Sequence, residues 1–273
     1  MINEIIEKIN DLPPLPETIT KIEIFRKKET QEVEELISIL ETDPFIVSTL
    51  LKVSNSAMFG FRSKVETLGR LINLLGMKFA IFIAINETIQ NMLTTDLKPY
   101  GISHDDYVKS TRLTSTLINL WISKKDAELR DDLILPALLQ QTGLFILSEV
   151  IISNNLTEKF QEKLALGAEI SEIEKELLGV TTAQVTAEIF KHWKLSENLI
   201  QTIEYVDELN KCDEEFIKKA QILHIAKILC NPKEPFSTIQ IAKALRKAKE
   251  FNFDETILKK SIEVLQDRLL DEK

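Results

Sequence analysis

Histidine is scarce in this chain: three occur in 273 residues, His104, His192 and His224, far apart and none in HExxH or another close-spaced ligand pair. A metal-dependent hydrolase built on helices needs imidazole and carboxylate lone pairs converging at about 2 Å from the ion. Sequence therefore offers no metal signature, and no metal or other cofactor is expected. Cysteine is as rare. Cys212 and Cys230 are too far apart for a CxxC redox or zinc pair and read as reduced thiols in a reducing compartment. Only 7 Gly and 8 Pro punctuate the chain, too few for the frequent turns of an all-β protein. GxSxG, GxxxxGK[ST] and GxGxxG are all absent, so neither a nucleophile elbow nor a phosphate-cradling loop has support. Positive charge is in deficit as well. With a formal charge of -9 and a pI near 5.1, the molecule repels phosphate backbones and anionic membranes, which argues against nucleic-acid binding. Met1-Ile2-Asn3-Glu4 lacks the basic start and apolar run of a signal peptide, and a cytoplasmic location is expected.

What is present is helical. Hydrophobic residues make up 44% of the chain, enough for a sizeable core, and Leu, Ile, Glu and Lys dominate. An all-α, two-lobed bundle is predicted. Ile2, Ile5, Ile6 and Ile9 fall at helical spacing, and Leu12-Pro13-Pro14-Leu15-Pro16 follows as an extended connector. Its PxxP spacing, Pro13 to Pro16, lacks the flanking Arg of a groove ligand. Helices are predicted over 17–28 and 32–42. Asp43-Pro44 supplies an N-cap and a preorganised first helical residue for a helix that ends at Asn55-Ser56, after which the apolar stretch 58–61 should dock on the core. Gly76 separates helices over 67–75 and 78–93. The segment 133–153 has the length of a bilayer span, yet it contains Pro136, Gln140, Gln141 and Glu149, so a buried central helix without membrane insertion is expected. Placing a seam at Pro99-Tyr100-Gly101 divides the chain into an N-terminal lobe over 1–100, a second lobe over 101–208 and a C-terminal extension over 209–273 packed on the second lobe.

Candidates for chemistry are few, and each has a plainer structural reading. His104-Asp105 follows Ser103, a good N-cap, and Asp105 and Asp106 fall in a first turn where carboxylates complement the helix dipole. His192 and His224 lie on amphipathic or apolar helices and read as packed residues. Lys243, Arg246 and Lys247 share one helical face, which reads as a solvated face before it reads as an anion site.

Leu12-Pro13-Pro14-Leu15-Pro16, Asp43-Pro44, the run from Leu50 through Asn55-Ser56 to Ala57, and Leu74-Leu75-Gly76 occur in the order of the markers of the bacterial HDOD domain. The chain resembles that family from Leu12 to Tyr205. HDOD domains are similar in fold to HD phosphohydrolases, in which His and Asp residues hold divalent metal for phosphoester cleavage. The stretch that resembles the family's Leu-Leu-His-Asp-x-Gly reads Leu138-Leu139-Gln140-Gln141-Thr142-Gly143, with both ligands replaced by amides. Two further positions where the family often carries His hold Lys109, before Ser110, and Thr182, after Leu178-Gly179-Val180. The resemblance implies a non-catalytic binding or adaptor module of signal transduction, working through signalling protein partners. Its alternative is a residual phosphohydrolase, or a metal-free nucleotide sensor using the same cleft. Asp43, Pro44, Asn55, Ser56 and Gly76, with Pro13 and Pro16, are the candidate structural or partner-binding positions of the N-terminal lobe.

Overall fold

The structure, a computed structural model, describes residues 1–55, 61, 63–122 and 126–271. Every regular element among the described residues is helical, as the composition predicts. The helices fall into two compact units, Pro13–Thr94 and a larger one made of Met1–Leu12 with Thr95–Lys273. The predicted division at Pro99-Tyr100-Gly101 is thus displaced, and the first twelve residues do not join the N-terminal lobe.

The reason lies in what helix α1 (Ile2–Asn10) covers. Its buried face, Ile5 and Ile9, packs on α9 (Gly143–Ser153) and α12 (Thr182–His192). Polar contacts reinforce this: Lys8 pairs with Glu149 at 2.6 Å, and the Glu4 carboxylate accepts from Ser153 Oγ at 2.8 Å and Asn154 Nδ2 at 2.9 Å. Those two bonds hold the Glu4 carboxyl below its ordinary pKa. Leu12 closes this segment, and Pro13 begins the smaller unit within the proline-rich connector.

The smaller unit consists of α2 (Glu17–Arg26), α3 (Val33–Leu40), α4 (Pro44–Ser54), α5 (Leu68–Leu75) and α6 (Met77–Met92). The Pro16 carbonyl starts α2 by accepting from Ile19 N at 2.9 Å. Between α5 and α6 the chain turns by 112°, and Gly76 makes the turn with φ +87 and ψ 155, a conformation that side chains with a Cβ rarely adopt. Its N–H caps α5 by donating to Ile72 O at 2.7 Å. Nearly all of α6 from Ala80 to Gln90 is buried, as its unbroken apolar run predicts.

The larger unit continues through α7 (His104–Trp121), α8 (Ala127–Leu139), α9, α10 (Thr157–Ala165), α11 (Ile170–Leu178), α12, α13 (Glu197–Glu204), α14 (Glu214–Leu229), α15 (Thr238–Glu250) and α16 (Glu255–Asp271). Helix α7 packs on α8, α14 and α16, so the segment after residue 208 lies inside this unit. Tyr100 also belongs here, edge-on to Phe160 with centroids 4.9 Å apart. The single helix predicted over 133–153 begins earlier, at Ala127, and is interrupted at Gln140-Gln141-Thr142. There the Thr142 hydroxyl turns back to Leu139 O at 2.7 Å, and a hydroxyl competing for a helix carbonyl loosens the ladder. This run is long and apolar enough to cross a membrane, but 89% of its apolar stretch is buried in the protein, as in a core helix. The ends of the helices predicted over 17–28, 32–42, 67–75 and 78–93 lie within about two residues of their predicted positions, the scale on which terminal turns fray.

Two hydrogen-bonded junctions set the smaller unit's stability. The Asp43 carboxylate accepts from Phe45 N at 2.9 Å and Ile46 N at 3.2 Å, with Pro44 in the first turn. Asn55 clamps the buried Val65 backbone from both sides, accepting from Val65 N at 2.7 Å and donating to Val65 O at 2.8 Å, and also donates to Leu51 O at 2.7 Å. Denaturant unfolding should show Asp43→Ala losing about 1 kcal/mol and Asn55→Ala about 1–3 kcal/mol, because the latter strands two backbone groups. An Asn55→Ala chain that unfolds like the parent would contradict the clamp.

Candidate functional site

The interruption between α8 and α9 carries the stretch where metal ligands are implied, and the structure buries it. Gln140 is 1% exposed, and neither its Oε1 nor its Nε2 has a hydrogen-bond partner in the protein. Gln141 is 4% exposed, its Nε2 donating a long 3.4 Å bond to Ser110 Oγ. Ser110 in turn gives its own proton to the Cys230 carbonyl at 2.5 Å. Lys109 does not join them. Successive residues of a helix are rotated by about 100°, so with Ser110 turned inward toward Gln141, Lys109 is exposed.

Thr182 opens α12 with both of its donors committed. Its N–H donates to Glu174 Oε2 at 2.7 Å and its hydroxyl donates to Glu174 Oε1. Tyr100 adds a third donor to the same carboxylate at 2.9 Å. Glu174 is fully buried, and burial pushes its pKa up to about 7 against the opposing pull of Lys227 and the Thr182 bond.

Gly143 joins the two halves. Its N–H donates to Thr186 Oγ1 at 2.8 Å, and the Thr186 hydroxyl itself lies 2.8 Å from Thr182 O and 3.3 Å from Gln140 O. A Cβ at position 143 would stand 2.5 Å from Thr182 O and 2.9 Å from Thr186 N, so only glycine allows this approach. Gln140, Gln141 and Thr182 are therefore neighbours of one junction, lined with Ser110, Thr186 and Gly143.

The histidines lie elsewhere. His104 is exposed in the first turn of α7, where Ser103 and Asp106 form a capping box, and its ring lies 5.9 Å from Phe145. His192 ends α12, half-buried. His224 sits on α14 with Nδ1 2.8 Å from Val206 O, and burial lowers its pKa. Among the described residues no three His, Cys, Asp or Glu side chains converge as a metal site would require. The donor set at the junction does not fit a divalent ion: amides and hydroxyls supply no charge and no imidazole nitrogen, and the hydroxyls of Ser110 and Thr182 are already engaged.

Of the N-terminal positions, Asp43, Pro44 and Asn55 cluster at the two ends of α4, and Gly76 lies between α5 and α6. Pro13 is exposed and Pro16 precedes α2. Ser56 and the stretch 58–60 lie outside the described residues. Sequence reasoning missed Ser110, Thr186, Glu174 and Tyr100. Thr186 could have been found from its i+4 spacing to Thr182. Glu174 gave no signal, since it sits in a charged helix beside Glu172, Lys175 and Glu176.

The HDOD domain family matches residues 12–209, and the chain belongs to that family. A solved virulence factor from Campylobacter jejuni is 26% identical, with TM-score 0.56, covering 96% of this chain and 97% of its own. Two structures share the fold at lower identity. One, a "Putative signal transduction protein" from Marinobacter aquaeolei, is 19% identical with TM-score 0.75, covering 96% of this chain and 58% of its own. The other, a "Putative phosphohydrolase" from Shewanella amazonensis, is 19% identical with TM-score 0.69, covering 95% and 93%. An uncharacterized protein from Treponema pallidum is 22% identical over 228 residues, and the chain spans 40% of its length.

Gly143→Ala should cost about 1–3 kcal/mol or more, because overpacking here meets backbone rather than a movable side chain. Gln140→Met should be neutral or stabilising by about 1 kcal/mol, since it removes a buried amide that no protein group satisfies. Thermal or denaturant unfolding of both variants checks the pair; a marked loss for Gln140→Met would mean that the amide is satisfied by a bound group.

Proposed function

We propose that this chain is a binding or adaptor module of bacterial signal transduction that has given up phosphoester cleavage. The observation that carries the proposal is the chemistry of the α8–α9 junction. Where the resemblance implies a His-Asp pair, Gln140 and Gln141 are buried neutral amides, and Thr182, where the family often carries His, spends its donors on Glu174. A hydrolytic site must offer charged or imidazole lone pairs to a metal, leave a coordination position open and admit substrate. This junction is short of all three. Membership of the HDOD family, and the likeness to a Marinobacter protein named for signal transduction, support a role in signalling.

The partner is a signalling protein, met through the surface rather than through a pocket reaction. The smaller unit presents Ile24, Phe45 and Leu74 exposed, apolar side chains of a kind that protein contacts use. Two free cysteines and a net charge of -9 agree with a cytoplasmic setting away from nucleic acid and lipid. A nucleotide sensor is the second reading, favoured only by the unpaired Gln140 amide, whose donor and acceptor match the edge of a base.

Purified chain should contain well below one equivalent of Mn, Fe or Mg, and should release no product from phosphodiester or phosphomonoester substrates beyond a chelator-treated control. Turnover abolished by chelator and restored by metal would reverse the proposal. A nucleotide present at about 100 times its Kd stabilises the fold by about 2.7 kcal/mol. A panel of cyclic and linear nucleotides at millimolar concentration is expected to leave the melting temperature unmoved, and a clear rise with one of them would favour the sensor.

A further inference from the structure

Glu174 lies at the centre of a fully buried polar cluster that the adaptor reading does not use, and the inference drawn from it stands independently of that reading. Three donors reach its carboxylate: Tyr100 Oη at 2.9 Å, Thr182 N at 2.7 Å and the Thr182 hydroxyl. Tyr100 and Thr182 are themselves buried, and α10 covers the phenol through Phe160. On the α14 side, Lys227 is within range to favour the anion, but Asp207 holds it at 2.8 Å, and the Asp207 charge opposes ionisation of Glu174. His224, on the same helix as Lys227, is bonded to Val206 O rather than to Glu174. Glu208, the next residue of the same loop, is occupied by Lys175, Lys211 and Gln184. Glu174 thus has hydrogen bonds suited to an anion but no cation of its own.

This balance makes the proton consequential. An ionised carboxylate accepts all three bonds, whereas a carboxylic acid adds a fourth donor to a site whose partners are all donating. Accommodating it requires a hydroxyl of Tyr100 or Thr182 to turn round and accept, which reverses that bond and leaves the hydroxyl's own buried proton without its carboxylate acceptor. Tyr100 closes the short helical turn Lys98–Tyr100, just after the chain enters the larger unit at Thr95. We propose that Glu174 is a proton-operated latch, which fastens the Lys98–Tyr100 turn to α11 and α12 when ionised and loosens that attachment when protonated.

Burial raises the Glu174 pKa from an ordinary 4.5 to about 7, so the switch operates near neutrality. The sign follows from linkage. Between those two values the folded chain keeps a proton that the unfolded chain has lost, so the contribution of this group to stability is full below the lower value and disappears as pH rises through about 7. The fold as a whole is favoured by the protonated form, while the Tyr100 attachment is favoured by the ionised one.

The test is a carboxyl 13C NMR titration of the full chain, followed together with the Thr182 amide and the Tyr100 ring signals. Glu174 should titrate with a midpoint near 7, and the Thr182 and Tyr100 signals should move with it. Tyr100→Phe removes one donor to the anion and should shift the midpoint upward. Glu174→Gln should abolish the shared titration and flatten the fall in melting temperature between about pH 4.5 and 7. If that variant does not fold, the wild-type titration and Tyr100→Phe still decide. A midpoint below about 6, toward the ordinary carboxylate value, or Thr182 and Tyr100 signals that do not follow the carboxyl, overturns the latch.

Discussion

Helix α9 meets α12 across a contact in which Gly143 has no room for even one carbon. The Gly143 N–H donates to the Thr186 hydroxyl, and the Thr182 carbonyl lies where a Cβ would be. This approach draws the α8–α9 interruption against the start of α12, and α1 packs across both α9 and α12. Gln140, Gln141 and Thr182 are placed by that contact or by the turn next to it. Loss of the approach would separate Gln140 from Thr186 and leave buried carbonyls without partners.

The same contact draws the polar groups of the junction together. A scaffold that holds metal must keep lone pairs free and aimed at a common point. Here the polar groups face one another instead: Ser110 bonds to Cys230, Gln141 to Ser110, Thr186 to Thr182, and Thr182 to Glu174. Gln140 is the exception, fully buried with its amide unanswered by the protein. A carboxylate lies in the neighbourhood, but Glu174, on α11, serves hydroxyl and amide donors, and its bonds to Thr182 at the start of α12 make it part of the helix junction.

Much of this was legible in the sequence, and the misses have physical causes. Apolar residues at three- and four-residue spacing revealed the helices, because burial of one face imposes that period. Asp43-Pro44 read correctly because a cap and a first-turn proline are local chemistry. Gln140-Gln141 stood out only because a resemblance supplied other residues at those positions, and nothing local in the sequence showed that both amides are buried. Lys109 and Ser110 show how far one step around a helix reaches: Ser110 turns inward to Gln141 while Lys109 faces solvent. The apolar face of α1 showed that it would be buried but not against what, so its membership of the larger unit was hidden. Glu174 was invisible because a carboxylate among charged neighbours looks like solvated surface, and only the packing of α10 on α11 and the bonds from Tyr100 and Thr182 place it inside.

The junction of α8, α9 and α12 commits its hydroxyls to hydrogen bonds and offers a divalent ion neither charge nor imidazole nitrogen from Gln140, Gln141, Ser110 or Thr182. Anomalous diffraction from crystals of the chain soaked in manganese tests this most directly. No ordered peak is predicted among Gln140, Gln141, Ser110 and Thr182, with Gln141, Ser110 and Thr182 keeping their bonds within the junction and to Cys230 and Glu174. A peak within coordination distance of the Gln140 or Gln141 amide oxygen, with the hydroxyls turned toward it, would contradict the account.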